Sequence, residues 1–108
     1  MSANVGRRQR GKTAGLARER KVKELKEKQG WVCIAAKGSL GPVDLVAIRR
    51  GLIEFIEVKS TVDGPYKNFS PQDRQELLEV AGRAGAVPIL CWWPPRCEPQ
   101  WITSGEWP

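Results

Sequence analysis

The run Val-Asp-Leu-Val-Ala-Ile at 43–48 is apolar at every position but one, and it constrains the fold more than any other stretch of the chain. Successive side chains of a strand point to opposite faces, so a run that is apolar at both parities has to be covered on both sides. WVCIAA at 31–36 precedes it across the glycine-containing loop KGSLGP, and LIEFIEVKS at 52–60 follows it through the short turn Arg49-Arg50-Gly51. VPILCWW at 87–93 reads as a fourth strand ended by Pro94-Pro95, and QWIT at 100–103 as a short fifth. Between the strands lie two helical segments. Residues 13–29 are rich in helix formers and stop at Gly30; the second helix starts at Ser70-Pro71-Gln72-Asp73, with Ser as N-cap and Asp at the capping-box position. Leu77, Leu78, Ala81 and Ala84 give that second helix an apolar stripe. The order αβββαβ(β) predicts a three-layer α/β domain, a central mixed β-sheet flanked by helices.

Charge divides the chain in two. Residues 1–30 hold ten Lys and Arg against three Glu, so the whole positive excess is N-terminal. Residues 1–12, with Gly6 and Gly11 and no hydrophobic period, read as a flexible basic arm, and residues 13–108 as the single folded domain. Arg7, Arg8, Arg10 and Lys12 are suited to phosphate contacts that read backbone shape, and Arg18 and Lys37 extend the same set. No apolar run approaches the roughly 20 residues of a membrane span, and no signal-like stretch follows the basic residues, so a cytoplasmic location is expected. Three cysteines at irregular spacing, without any histidine, argue for reduced thiols and against a zinc site. The lack of histidine also excludes Ser-His-Asp and Cys-His catalysis, leaving carboxylates, lysine and metal for any hydrolytic chemistry.

Three charged residues stand inside apolar strands, where burial without partners is costly. Asp44 interrupts the 43–48 run, and Glu57 and Lys59 share one side of LIEFIEVKS at a spacing of two. Two carboxylates converging from adjacent strands supply the oxygen ligands that Mg²⁺ or Mn²⁺ requires, with the Val58 carbonyl between them as a further ligand. Lys59 would place an ammonium beside the same phosphate. A Glu and a Lys paired across a sheet are common without any catalytic role; Asp44 followed thirteen positions on by Glu-x-Lys is a more specific pattern. In the first helix Glu19 lies between Leu16 and Val22 on the helical wheel and can point toward the body of the protein.

GPVDLVAI, FIEVKS, Glu19, Gly38-Ser39, the Ser-x-Gln helix start and AGRAGAVPIL together resemble the PD-(D/E)xK nuclease superfamily, and within it the archaeal-type Holliday junction resolvases. The resemblance covers about residues 13–93 and implies a restriction-endonuclease-like fold. It implies a metal-dependent core of Asp44, Glu57 and Lys59, assisted by Glu19 and by Ser39 near the scissile phosphate. It further implies a homodimer making paired, symmetric cuts in four-way DNA junctions. One departure is that Pro-Val-Asp stands where the family pattern has Pro-Asp. Two alternatives stay open at this point: a nuclease for flaps or other branched DNA, and a basic DNA-binding module without catalysis. The late tryptophans, Trp92, Trp93, Trp101 and Trp107, are candidates either for a subunit contact or for covering the sheet.

Overall fold

The computed structural model describes residues 3–36 and 40–108, with side chains in the first helix from Gly15 onward. Helix α1 spans Ala3–Lys28, strand β1 Val32–Ala35, β2 Leu45–Arg49, β3 Leu52–Lys59, helix α2 Pro71–Ala84, β4 Val87–Trp92 and β5 Gln100–Thr103, followed by a 3₁₀ turn at Ser104–Glu106. The five strands lie in the order β1-β2-β3-β4-β5. Three antiparallel pairings and one parallel pairing, β3 with β4 across the α2 crossover, make the sheet mixed as expected.

Each helix covers one face. Val22 of α1 joins Trp31, Cys33, Leu45, Ala47, Ile56, Val58, Ile89 and Cys91 in one buried cluster. Leu77 and Ala81 of α2 join Ala36, Val43, Phe55, Phe69 and Leu90 in the other. Leu45 and Val43, from one short run, thus reach opposite layers, which is the burial that the apolar pattern at 43–48 demanded. The α2 stripe is narrower than its sequence suggests: Leu77 and Ala81 are buried, whereas Leu78 and Ala84 are exposed. The wheel brings adjacent leucines within 100° of each other, and only one of them faces the sheet.

Local chemistry sets the element ends. At the end of α1 the Trp31 N–H donates to the Lys26 carbonyl and the Gly30 N–H to that of Glu27, a Schellman closure with Gly30 at φ +92°. The start of α1 differs from expectation, since the helix reaches back to Ala3. Ser70 caps α2 with its hydroxyl accepting from the Asp73 N–H, and Asp73 returns the bond in a capping box. Pro88 is tolerated in an interior strand because the face of its nitrogen lies beyond the last β4–β5 pair, Ile89 with Thr103. Arg50 and Gly51 both have positive φ, +50° and +83°, the pattern of a type I′ hairpin turn between β2 and β3.

The late tryptophans cover the sheet individually. Trp93 and Trp101 pack on the α1-side core, Trp107 meets Phe69 edge-on at 5.3 Å, and the Trp92 indole N–H donates to the Thr61 carbonyl. On the α1 side Lys26 is buried as an ion pair with Glu54 at 2.5 Å, its ammonium between the Trp31 and Trp101 rings. Among the described residues no helix is long and apolar enough to cross a membrane.

Candidate active site

Strand β2 begins where β3 ends, and the charged residues meet at that end of the sheet. Asp44 sits just ahead of β2 on irregular backbone: its N–H donates to Ile56 on one side, while its carbonyl accepts from Ala36 on the other. In a regular strand both groups face the same neighbour. The irregularity falls at the Pro-Val-Asp sequence and turns the side chain across the sheet end, where Asp44 Oδ2 accepts the Val58 N–H at 2.7 Å. The Val58 carbonyl points to the same side as its N–H, past the start of β2.

Glu57 and Lys59 emerge on one side of β3, as period two requires, with Lys59 Nζ 3.5 Å from Glu57 Oε1. The Lys59 carbonyl is fixed by the Trp93 N–H at 2.7 Å. Glu57 is 5% exposed. Burial, then the hydrogen bond to Asp44 and the Asp44 charge, push its carboxyl up to about 9, with Lys59 pulling the other way. Glu19 of α1 belongs to the same electrostatic neighbourhood: burial first and the Asp44 charge second raise it to about 7, again opposed by Lys59. Burial beside the Asp44 charge favours the protonated form of Glu57 near neutrality, and a divalent cation is what would relieve the repulsion between the two carboxylates. The donor set, two carboxylates and one carbonyl oxygen, suits a hard cation that keeps several waters. Among the described residues no cluster of three or more Asp, Glu, His or Cys side chains is tight enough to enclose a metal by itself.

The structure therefore brings together Glu19, Asp44, Glu57, Lys59 and the Val58 carbonyl. Ser39 and Lys37 lie outside the described residues, as do the side chains of Arg7, Arg8, Arg10 and Lys12. Arg18 is described and lies over the Trp93 ring, 5.0 Å from its centroid. Sequence reasoning did not single out Arg20 and Lys23, which line a groove of about 330 Å³ beside Glu19 together with Leu16, Ala35 and Leu45. The signal was present, because residues 19 and 23 are one helical turn apart and share a face.

A sheet end carrying Asp, then Glu-x-Lys, with helices on both faces, defines the PD-(D/E)xK nuclease class. The family model of the archaeal Holliday junction resolvase (Hjc) matches residues 10–104, and the chain belongs to that family. Among solved structures, Hjc from Archaeoglobus fulgidus, described as a Holliday junction resolvase from an archaeal hyperthermophile, aligns with a TM-score of 0.77 at 24% identity. The alignment covers 85% of this chain and 74% of that one, and it establishes the fold. No curated protein matches the chain.

Proposed function

We propose that the protein is a Mg²⁺-dependent endonuclease that resolves four-way DNA junctions by paired hydrolysis of phosphodiester bonds. The observation that carries this reading is the convergence at one end of the sheet of Asp44, held by the Val58 N–H at 2.7 Å, with Glu57 and with Lys59 3.5 Å from Glu57. Asp44, Glu57 and the Val58 carbonyl would hold the cation. When bound, Mg²⁺ (or Mn²⁺) supplies Lewis-acid polarisation of the phosphoryl group and lowers the pKa of water. Asp44 is itself oriented by the Val58 N–H, and Lys59 sets a positive charge where negative charge develops on the phosphoryl oxygens. Glu19, whose raised pKa leaves it partly protonated near neutrality, is placed to exchange a proton with water at the site.

A four-way junction presents two symmetric strands, so we assign the active form to a homodimer with one site per subunit. The basic N-terminal segment, with Arg7, Arg8, Arg10 and Lys12, supplies sequence-independent affinity for the junction arms, with Lys37 as a further phosphate contact and Ser39 assisting close to the scissile phosphate. Unpaired Cys33, Cys91 and Cys97 suit a reducing compartment such as the cytoplasm.

The test is cleavage of a labelled synthetic four-way junction beside linear duplex and flap DNA, in Mg²⁺ or EDTA, by the native protein and Asp44→Asn. Paired symmetric nicks on the junction, lost in EDTA and in the variant, are expected. Preference for the flap would replace the substrate and keep the site, and cleavage unchanged in EDTA would overturn the metal-dependent mechanism.

A further inference from the structure

We propose that Trp93 is a positioning residue that holds Arg18 as a phosphodiester-binding group beside Lys59. The inference rests on the reading of the chain as a DNA-cutting enzyme and adds a subsite to it. Trp93 directly follows β4, and its backbone N–H donates to the Lys59 carbonyl at 2.7 Å, so the residue is fixed to the strand end that carries Lys59. Its indole N–H donates to the Cys97 carbonyl at 2.8 Å, and the ring packs on the α1-side core. The ring is thus held in one orientation from backbone and side chain alike. Over it lies the Arg18 guanidinium, 5.0 Å from the ring centroid, on the residue immediately before Glu19.

The other stacked cations of this layer show what sets Arg18 apart: Arg49 lies over the Trp31 ring at 4.6 Å, but its guanidinium already donates to the Gln29 carbonyl at 2.9 Å. Lys26 also lies against indole rings, but Glu54 neutralises it and it is buried. Among the described residues no carboxylate lies within ion-pair distance of Arg18, and the side chain is only half-buried. A guanidinium lying on an indole has surrendered much of its rotamer freedom before any ligand arrives, while its edge N–H groups stay available for the oxygens of a phosphate. Tethered through Trp93 to the Lys59 backbone, the charge is directed at a phosphate neighbouring the one at Lys59.

The experiment measures binding of a fluorescein-labelled four-way junction by anisotropy, in EDTA and over a series of salt concentrations. The proteins are the native chain, Arg18→Gln, Arg18→Lys, Trp93→Leu, Trp93→Phe and the Arg18→Gln/Trp93→Leu double variant. Arg18→Gln is expected to lower the slope of log Kd against log salt by about one. Trp93→Leu weakens binding about two- to fivefold and adds nothing in the Arg18→Gln background, and Trp93→Phe, which keeps an aromatic face, recovers most of the loss. Arg18→Lys, which keeps the charge but not the planar stack, binds more weakly than native with the slope unchanged; this arm does not depend on any Trp93 variant folding. Native Kd in Trp93→Leu, an equal loss in both backgrounds, or native Kd in Arg18→Lys would overturn the proposal. Absence of junction binding by the native protein would remove the resolvase reading as well, whereas native binding combined with any of those results removes only the role of Trp93.

Discussion

Replacing Lys26 by Met should destabilise the protein by about 3 kcal/mol, although the two side chains have similar length and flexibility. The magnitude follows from what the substitution leaves behind. Glu54 keeps its charge with a side chain only 18% exposed and loses the ammonium at 2.5 Å. Removing one partner of a buried pair typically costs about 3–5 kcal/mol, and the remaining exposure of Glu54 argues for the low end. Loss of the ammonium from the Trp31 and Trp101 rings adds about 0.5–1 kcal/mol for each contact, offset by the thioether packing there instead. Removing both charges, in Lys26→Met/Glu54→Leu, should return stability to within about 1 kcal/mol of native or exceed it, because desolvation of the pair disappears with the pair. Urea unfolding followed by tryptophan fluorescence and circular dichroism closes the cycle. For a chain of this size the single variant should melt roughly 10–15 °C below native. A single-variant cost under about 1 kcal/mol, with the two changes simply adding, would refute the reasoning and show the pair to be solvated in spite of its burial.

Arg50 carries a side chain at φ +50° in the turn between β2 and β3, where Asn is favoured, so Arg50→Asn should raise stability by about 0.5–1 kcal/mol, read as a melting shift of a few degrees. A melting point equal to or below native would show that the turn is not strained. In EDTA, stability should fall as pH rises between the unfolded Glu57 value near 4.5 and its native value of about 9, because the native state retains a proton that the unfolded chain has released. Asp44→Asn should make that decline shallower without abolishing it, since burial is the larger cause; urea midpoints at several pH values check both, and a profile that is flat or rising in this window would contradict the buried acid pair.

Much of the candidate site was legible because it depends on short-range periodicity. Glu57 and Lys59 lie two residues apart in a strand, so the pleat puts them on one side, whereas the turn of Asp44 toward them depends on the irregular backbone at Pro-Val-Asp, which no period announces. Less of the packing was legible. The start of α1 at Ala3 was hidden because Gly6 and Gly11 lower helix propensity and the segment has no apolar period. Leu77 and Leu78 are equivalent in composition, and only contact with the sheet decides which is buried. The tryptophans look like surplus apolar area until each partner is known: Arg18 and Cys97 for Trp93, Thr61 for Trp92, Phe69 for Trp107. Lys26 was the least legible, being a helix lysine that finds its carboxylate 28 residues away.

The turn at Arg50-Gly51 has a consequence for the order in which the molecule assembles. Asp44, Glu57 and Lys59 all belong to the hairpin that this turn closes, whereas the parallel partner β4 joins only after the α2 crossover. Contacts of short sequence separation form with the least loop-closure entropy and ahead of those that span a crossover. The acidic centre can therefore take shape on a local scaffold before the sheet is complete, and β4, arriving later with Trp92 and Trp93, clamps the Lys59 end of a hairpin whose register is already set. Pulse-labelled hydrogen exchange during refolding should show protection at Ala47 and Ile56 before Cys91, and simultaneous protection would mean that the sheet forms in one step.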